Sequence, residues 1–195
     1  YNNTQLVAMH ACPGVVAMYA RDAWEGIEGI VMPLINAAPN SSRIVVCGYS
    51  GGGPIAAVAA CRIRNALGAD RVKYAMVFGS PRQGDETFAR DYPVPLLSVE
   101  NEGDVVPSFP RYDTLFNEVT GFGLVNRYPC NAGQVLYINA AGALHYSRPW
   151  FNWHRAETLM LANAVLSLGT APFSTYHWLQ HYCDQLVKHV DASHP

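Results

Sequence analysis

Charged side chains are scarce in this chain. Asp, Glu, Lys and Arg make up 14% of its 195 residues, and 13 basic against 15 acidic groups leave a formal net charge of -2. That balance offers no electrostatic footprint for nucleic acid or for an anionic membrane surface. Nor does any apolar stretch approach the ~18–20 residues that span a bilayer; segments such as Ile55–Cys61 are short and lie inside a helical pattern. Cysteine is sparse and odd in number: Cys12, Cys47, Cys61, Cys130 and Cys183, with no CxxC pair. Neither a disulfide framework nor a zinc site is therefore indicated, and Cys47 and Cys61, in apolar strand and helix patterns, read as buried free thiols. Internal repeats, low-complexity tracts and linkers are absent as well. The chain begins at Tyr1 without an initiator Met or a signal-peptide pattern, which fits a processed product or one part of something longer and leaves the compartment open.

What remains is globular. Half the residues are hydrophobic, and the length suits a single domain, 1–195, with a sizeable core. Apolar residues three or four apart mark a helix over 15–36, ended by Pro39 and two serines. A β-branched strand over 43–47 follows, then a small-residue helix over 54–67 with Gly68 at its C-cap. Val72–Phe78 and Val94–Val99 read as further strands, with a short helix over 85–92 between them. Helix and strand alternate, with crossovers long enough for a parallel sheet covered on both faces. Pro107–Pro129 reads as an aromatic-rich loop, Gln134–Asn139 as an edge strand, and Trp153–Leu168 and Tyr176–Val190 as helices.

The strongest local pattern is the junction of the first of those strands with its helix, Arg43-Ile-Val-Val-Cys-Gly-Tyr-Ser-Gly-Gly-Gly. Gly48-x-Ser50-x-Gly52 between a strand and a helix is a nucleophile-elbow pattern. The turn strains the serine backbone, requires nearly side-chain-free neighbours two before and two after, and aims a helix N-terminus at Ser50. A serine hydroxyl needs a base, and the base needs an orienting acid. In doubly wound hydrolases these follow in the order Ser, acid, His. Asp104, just past the strand over 94–99, fits the acid, with Glu100 and Glu102 as neighbours and a plain turn cap as the alternative role. The base is a later histidine: His145, His154, His177, His181, His189 or His194. His177 opens the last helix after the capping pair Ser174-Thr175. That helix is expected to bury Leu179, Tyr182, Cys183, Leu186, Val187 and Val190 and to leave His177 and His181 on another face. The i, i+4 spacing of those two histidines lacks a third ligand, so no metal is expected. His189 and His194 read as solvated tail residues.

Taken together, these stretches resemble the class 3 lipases, the fungal-lipase-like family of α/β-hydrolases. The resemblance rests on the elbow, on Phe78-Gly-Ser-Pro-Arg-Gln-Gly-Asp-Glu-Thr-Phe, on Val99-Glu-Asn-Glu-Gly-Asp-Val-Val-Pro, and on His177-Trp-Leu-Gln-His-Tyr182. It implies an α/β-hydrolase-like, mostly parallel sheet with helices on both faces, lacking the usual N-terminal strands. It further implies a serine hydrolase acting on carboxylic, lipid-like acyl esters, with Ser50 as nucleophile, Asp104 as acid, His177 as base (His181 as fallback) and the Gly51 N–H in the oxyanion hole. No cofactor or metal is required. The family usually has His and Leu where this chain has Tyr49 and Gly51, and its other oxyanion donor lies on a loop after an earlier strand. Thr4–His10 provides one strand but no such loop. A partner, or a segment preceding Tyr1, is then expected to complete the hole; otherwise the domain is a non-catalytic binding or assembly module.

Overall fold

The computed structural model describes residues 6–104, 106–108, 132–139, 141–146 and 178–193. Its centre is a five-stranded sheet in the order β3-β4-β5-β6-β7, comprising Ile44–Tyr49, Val72–Phe78, Leu96–Asn101, Gln134–Ile138 and Leu144–His145. Strands β3 to β6 are parallel, and only the short β7 turns back antiparallel on β6. Tyr49 pairs with Phe78 and Phe78 with Val99, so the carboxyl ends of β3, β4 and β5 are level. Whatever follows those strands opens on one edge of the sheet. Gln134–Ile138, expected at the edge from its alternation, is an interior strand between β5 and β7.

One face of the sheet is covered by α1 (Met18–Ala37) and α2 (Gly52–Leu67). The run Ala56-Ala57-Val58-Ala59-Ala60-Cys61 is buried throughout, because small side chains let α2 lie against β3 and β4 on one side and α1 on the other. Trp24 and Ala20 are the buried residues of α1. Gly68 closes α2 at φ +94, a conformation that favours glycine, and its N–H returns to the Arg64 carbonyl.

The stretch expected to begin the first helix divides in two. Val15–Ala17 forms β2, which pairs antiparallel with β1 (Leu6–Ala8), and α1 starts only at Met18. Three apolar residues in a row fit either state, and tertiary pairing decides. Here β2 is laced to the segment after β4. The Ala17 N–H donates to the Gln83 carbonyl at 3.0 Å, and the Asp85 N–H to the Val15 carbonyl at 3.1 Å. The Asp85 carboxylate accepts from both Val15 N–H (3.2 Å) and Phe88 N–H (2.8 Å), the latter capping α3 (Glu86–Asp91).

The other face carries a smaller cluster. Val99, Ile138 and Tyr182 are buried together, with Met76, Phe78, Leu97, Leu136 and Leu186 packed around them. Tyr182 and Leu186 belong to α4 (Leu179–Ser193), so helices lie on both faces of the sheet. The apolar face expected for this helix is corrected: Tyr182 and Leu186 face inward, whereas Leu179 (45%), Val187 (54%) and Cys183 are exposed. Helical periodicity gives the direction of a face but not its width. Over β3, no described helix covers that face, and Val45 and Cys47 are exposed among the described residues; Cys61 is buried as expected and Cys47 is not. The segments over 109–131 and 147–177, including the expected aromatic loop and the helix at 153–168, lie outside the described residues.

Candidate active site

Ser50 stands at the end of β3 with φ +52, the left-handed region that a serine enters only when the surroundings compel it. Two backbone bonds impose the turn. The Ser50 N–H donates to the Phe78 carbonyl at 2.9 Å, fastening the elbow to the end of β4, and the Gly53 N–H donates to the Ser50 carbonyl at 2.9 Å. Gly51 follows as the exposed N-cap residue of α2. The helix therefore begins directly behind the serine, with the positive end of its dipole there.

The crowding expected two residues to either side of Ser50 is met on one side only. A Cβ on Gly48 would lie 2.3 Å from the Gly52 carbonyl oxygen and 2.7 Å from the Ala56 Cβ. Gly52 itself has open space. The crowded glycine beyond the serine is Gly53, whose Cβ would meet the Ser80 Oγ at 2.2 Å. The Ser80-Pro81-Arg82-Gln83 turn after β4 thus packs under the start of α2, held by the Gln83 side chain, which donates to Ser80 Oγ at 3.0 Å and accepts from Ala132 N–H at 3.2 Å.

Asp104 lies in the turn after β5, one strand away from the elbow strand across β4, and it is buried. Both of its carboxylate oxygens are held: the Tyr182 hydroxyl donates to Oδ2 at 2.5 Å and the Val106 N–H to Oδ1 at 2.9 Å. The same Tyr182 oxygen accepts from the Asn101 N–H at 3.2 Å. Burial pushes the Tyr182 hydroxyl well above its ordinary pKa, and the adjacent Asp104 charge adds to it, so this phenol stays a donor. The neighbouring carboxylates sit differently, Glu100 buried within β5 and Glu102 half-buried in the turn, its N–H donating to the Ile138 carbonyl at 2.7 Å.

Tyr49 closes the arrangement from the serine side. Partial burial and then the Asp104 carboxylate raise its pKa, while the Leu179 backbone N–H, donating to the phenol, works against them. The first turn of α4 is thereby anchored twice, by Tyr49 before the serine and by Tyr182 on Asp104. His181, half-buried, lies in that turn next to Tyr182. His177, like His154 and His194, lies outside the described residues. Two other histidines are placed elsewhere. His145 is exposed on β7 and hydrogen-bonded to the Asn139 side chain at 3.2 Å. His189, expected to be solvated, is half-buried and hydrogen-bonded through Nε2 to the Gly142 carbonyl.

A strained serine between a parallel strand and a helix, with a buried acid at the same sheet edge, invites comparison with known proteins. The family model for lipase (class 3) matches residues 3–114, more than half of the chain. The chain belongs to the class 3 lipase family. Its sheet is accordingly a truncated version of the α/β-hydrolase fold. No significant match is found among curated proteins. Among solved structures, the triacylglyceride lipase of Rhizomucor miehei is similar at a TM-score of 0.59 and 18% identity, over 92% of this chain and 66% of that one. The lipase of Rhizopus microsporus var. chinensis gives 0.54 and 18%, over 75% of this chain and 47% of that one. A triacylglycerol lipase described as having a serine-protease triad at its catalytic centre gives 0.53 and 22%, over 70% and 50%. This class 3 lipase chain thus spans about half the length of the latter two, and identities this low speak for the fold.

Sequence reasoning missed two side chains of this lipase-family site. Tyr182 is expected as a buried residue of the last helix and as the aromatic of the closing motif, but neither reading gives it a bond to Asp104. Tyr49 stood out merely as a departure from the family's His; its link to α4 had no signal in the sequence.

Proposed function

We propose that this chain is the catalytic part of a serine hydrolase that cleaves carboxylic esters with hydrophobic acyl groups through an acyl-enzyme. The observation that carries the reading is Ser50 at φ +52 on a strand-to-helix turn, with the buried, doubly held Asp104 carboxylate at the same end of the sheet. Strand spacing of about 4.8 Å puts two such steps between the elbow strand and β5, so a group must bridge serine and acid. An imidazole does so, its Nδ1–H on Asp104 and its Nε2 facing the serine. The anchored first turn of α4 supports His177, two residues before Leu179 in the sequence, in that role, with His181 as the fallback.

The reaction then runs in two halves. Ser50 Oγ attacks the ester carbonyl as the histidine takes its proton. The tetrahedral oxyanion is held by the Gly51 N–H, and collapse expels the alcohol, which receives the proton from the imidazolium. Water, deprotonated by the same histidine, attacks the acyl-serine, and the carboxylic acid leaves with Ser50 reprotonated. Asp104 orients the ring and offsets its charge. The lipid character of the substrate rests on the family and on the acylglycerol lipases among the structural neighbours.

A fluorophosphonate probe should label Ser50 in the folded protein, and Ser50→Ala should abolish both labelling and turnover of a short-chain p-nitrophenyl ester. Asp104→Asn should lower kcat by up to about 10⁴-fold, and of the two histidine variants the true base should show the same loss. Absence of labelling would leave the alternative, a non-catalytic binding or assembly module. The position of β3 at the edge of the described sheet favours that second reading.

A further inference from the structure

Cys12 and Cys61 lie on the far side of α2 from the sheet's open face, in a part of the molecule that the hydrolase reading does not use. Cys12 is half-buried in the turn between β1 and β2, and Cys61 is fully buried in the middle of α2. The Cys61 Sγ donates to the carbonyl of Ala11, the residue bonded to Cys12, at 3.1 Å, and the two thiols act on each other's ionisation. The turn is pressed onto the helix by further bonds. Ala11 is held at φ +69, and the Cys12 N–H returns to the Met9 carbonyl at 3.2 Å. Arg62, beside Cys61, donates to the His10 carbonyl at 3.1 Å and to both oxygens of Glu28 on α1 at 2.9 and 3.1 Å.

We propose that Cys12 and Cys61 are a disulfide-forming pair, a covalent modification site that clamps the β1–β2 turn onto the helix bearing the nucleophile elbow. A low-molecular-weight disulfide is the oxidant. The half-exposed Cys12 sulfur attacks it, forming a mixed disulfide and releasing one thiol. Cys61 then attacks the Cys12 sulfur, closing the Cys12–Cys61 bond and releasing the second thiol, so two protein thiols are oxidised and one external disulfide is reduced. Contact with Cys61 and burial push the Cys12 thiol well above its ordinary pKa, so the first attack is the slow step and quickens as pH rises. Once Cys12 is in the mixed disulfide its S–H no longer acts on Cys61, and the charges of Arg64 and Arg62 are what favour the Cys61 thiolate against burial. The bond would close a loop of 48 intervening residues, a span over which cross-linking restricts the unfolded chain strongly.

The test is a titration of the full chain with oxidised and reduced glutathione, read by non-reducing peptide mapping, thiol counting and thermal unfolding. The expected result is a Cys12–Cys61 peptide pair, a fall of two in the thiol count, and an unfolding temperature that rises by several degrees and returns on adding dithiothreitol. A Cys47→Ser/Cys130→Ser/Cys183→Ser variant should form the same bond, and Cys12→Ser should remove it together with the thermal shift. Persistent free thiols at full oxidation, a stable glutathione adduct on Cys12, or pairing of either cysteine with Cys47, Cys130 or Cys183 would each overturn the proposal.

Discussion

Tyr182 is the residue on which the Asp104 carboxylate depends. Its hydroxyl, completely buried, donates to Asp104 and accepts from the backbone of Asn101, so one phenol fixes both the carboxylate and the strand end that carries it. Tyr182→Phe keeps the ring and its edge-on packing against Phe78 but removes the donor. A buried carboxylate oxygen that loses a hydrogen bond costs about 1–3 kcal/mol. We expect a loss of that size in denaturant unfolding, together with a fall in kcat larger than any change in KM, because a loosened Asp104 orients the base less well. Tyr49→Phe, which leaves Asp104 bonded to Tyr182, should be the milder change in both measurements. That Ser50 and Asp104 come to one end of the sheet was legible in the sequence, from a strand-turn-helix pattern and the order of the parallel strands. The Tyr182–Asp104 bond was not. It joins residues 78 apart through a single donor and acceptor, and no local periodicity marks such a pair.

Among the elements, the elbow and α2 set the strictest geometry. Gly48 faces the Gly52 carbonyl, and Gly53 faces Ser80, whereas Gly52 looks into open space. Gly48→Ala and Gly53→Ala should each destabilise by about 1–3 kcal/mol through overpacking, while Gly52→Ala should be neutral or slightly stabilising as helix propensity improves. Urea midpoints of the three variants would check this, and equal losses at all three would refute the packing account. The strands and helices around the elbow were readable because each is long and consistently patterned. Failures came where patterning is silent about neighbours. Three residues, Val15–Ala17, extend a helix in the sequence but pair with Leu6–Ala8 in space. Alternation in β6 suggested a strand at the sheet's edge, yet β5 and β7 flank it on both sides. Leu179 and Val187 match the period of an inward face, but α4 touches the sheet along a narrower line through Tyr182 and Leu186.

The whole molecule shares one titration behaviour. Tyr19, Tyr92 and Tyr182 all have their hydroxyls raised above the ordinary tyrosine value, burial being the largest cause in each. These three tyrosines therefore keep, in the folded state, protons that they release near pH ~10 when unfolded. Stability is fully present below that value and declines as pH rises through it, since the unfolded state then binds fewer protons. Urea midpoints should hold steady to about pH 9 and fall steeply above pH ~10, less steeply in Tyr182→Phe. The sheet edge gives a second expectation for the molecule as a unit. Val45 and Cys47 are exposed on β3, the outermost strand among the described residues, and exposed apolar side chains on an edge strand favour pairing between chains. Val45→Lys should therefore reduce concentration-dependent association in sedimentation runs. The bond from Tyr182 to Asp104 also fixes an order of events during synthesis. The serine turn and the acid loop leave the ribosome long before position 182 is translated, so for that interval the carboxylate has no phenol to hold it. The Ser50–Asp104 end of the sheet is finished from its C-terminal side, and a nascent chain halted before α4 would display Ser50 with Asp104 still unset.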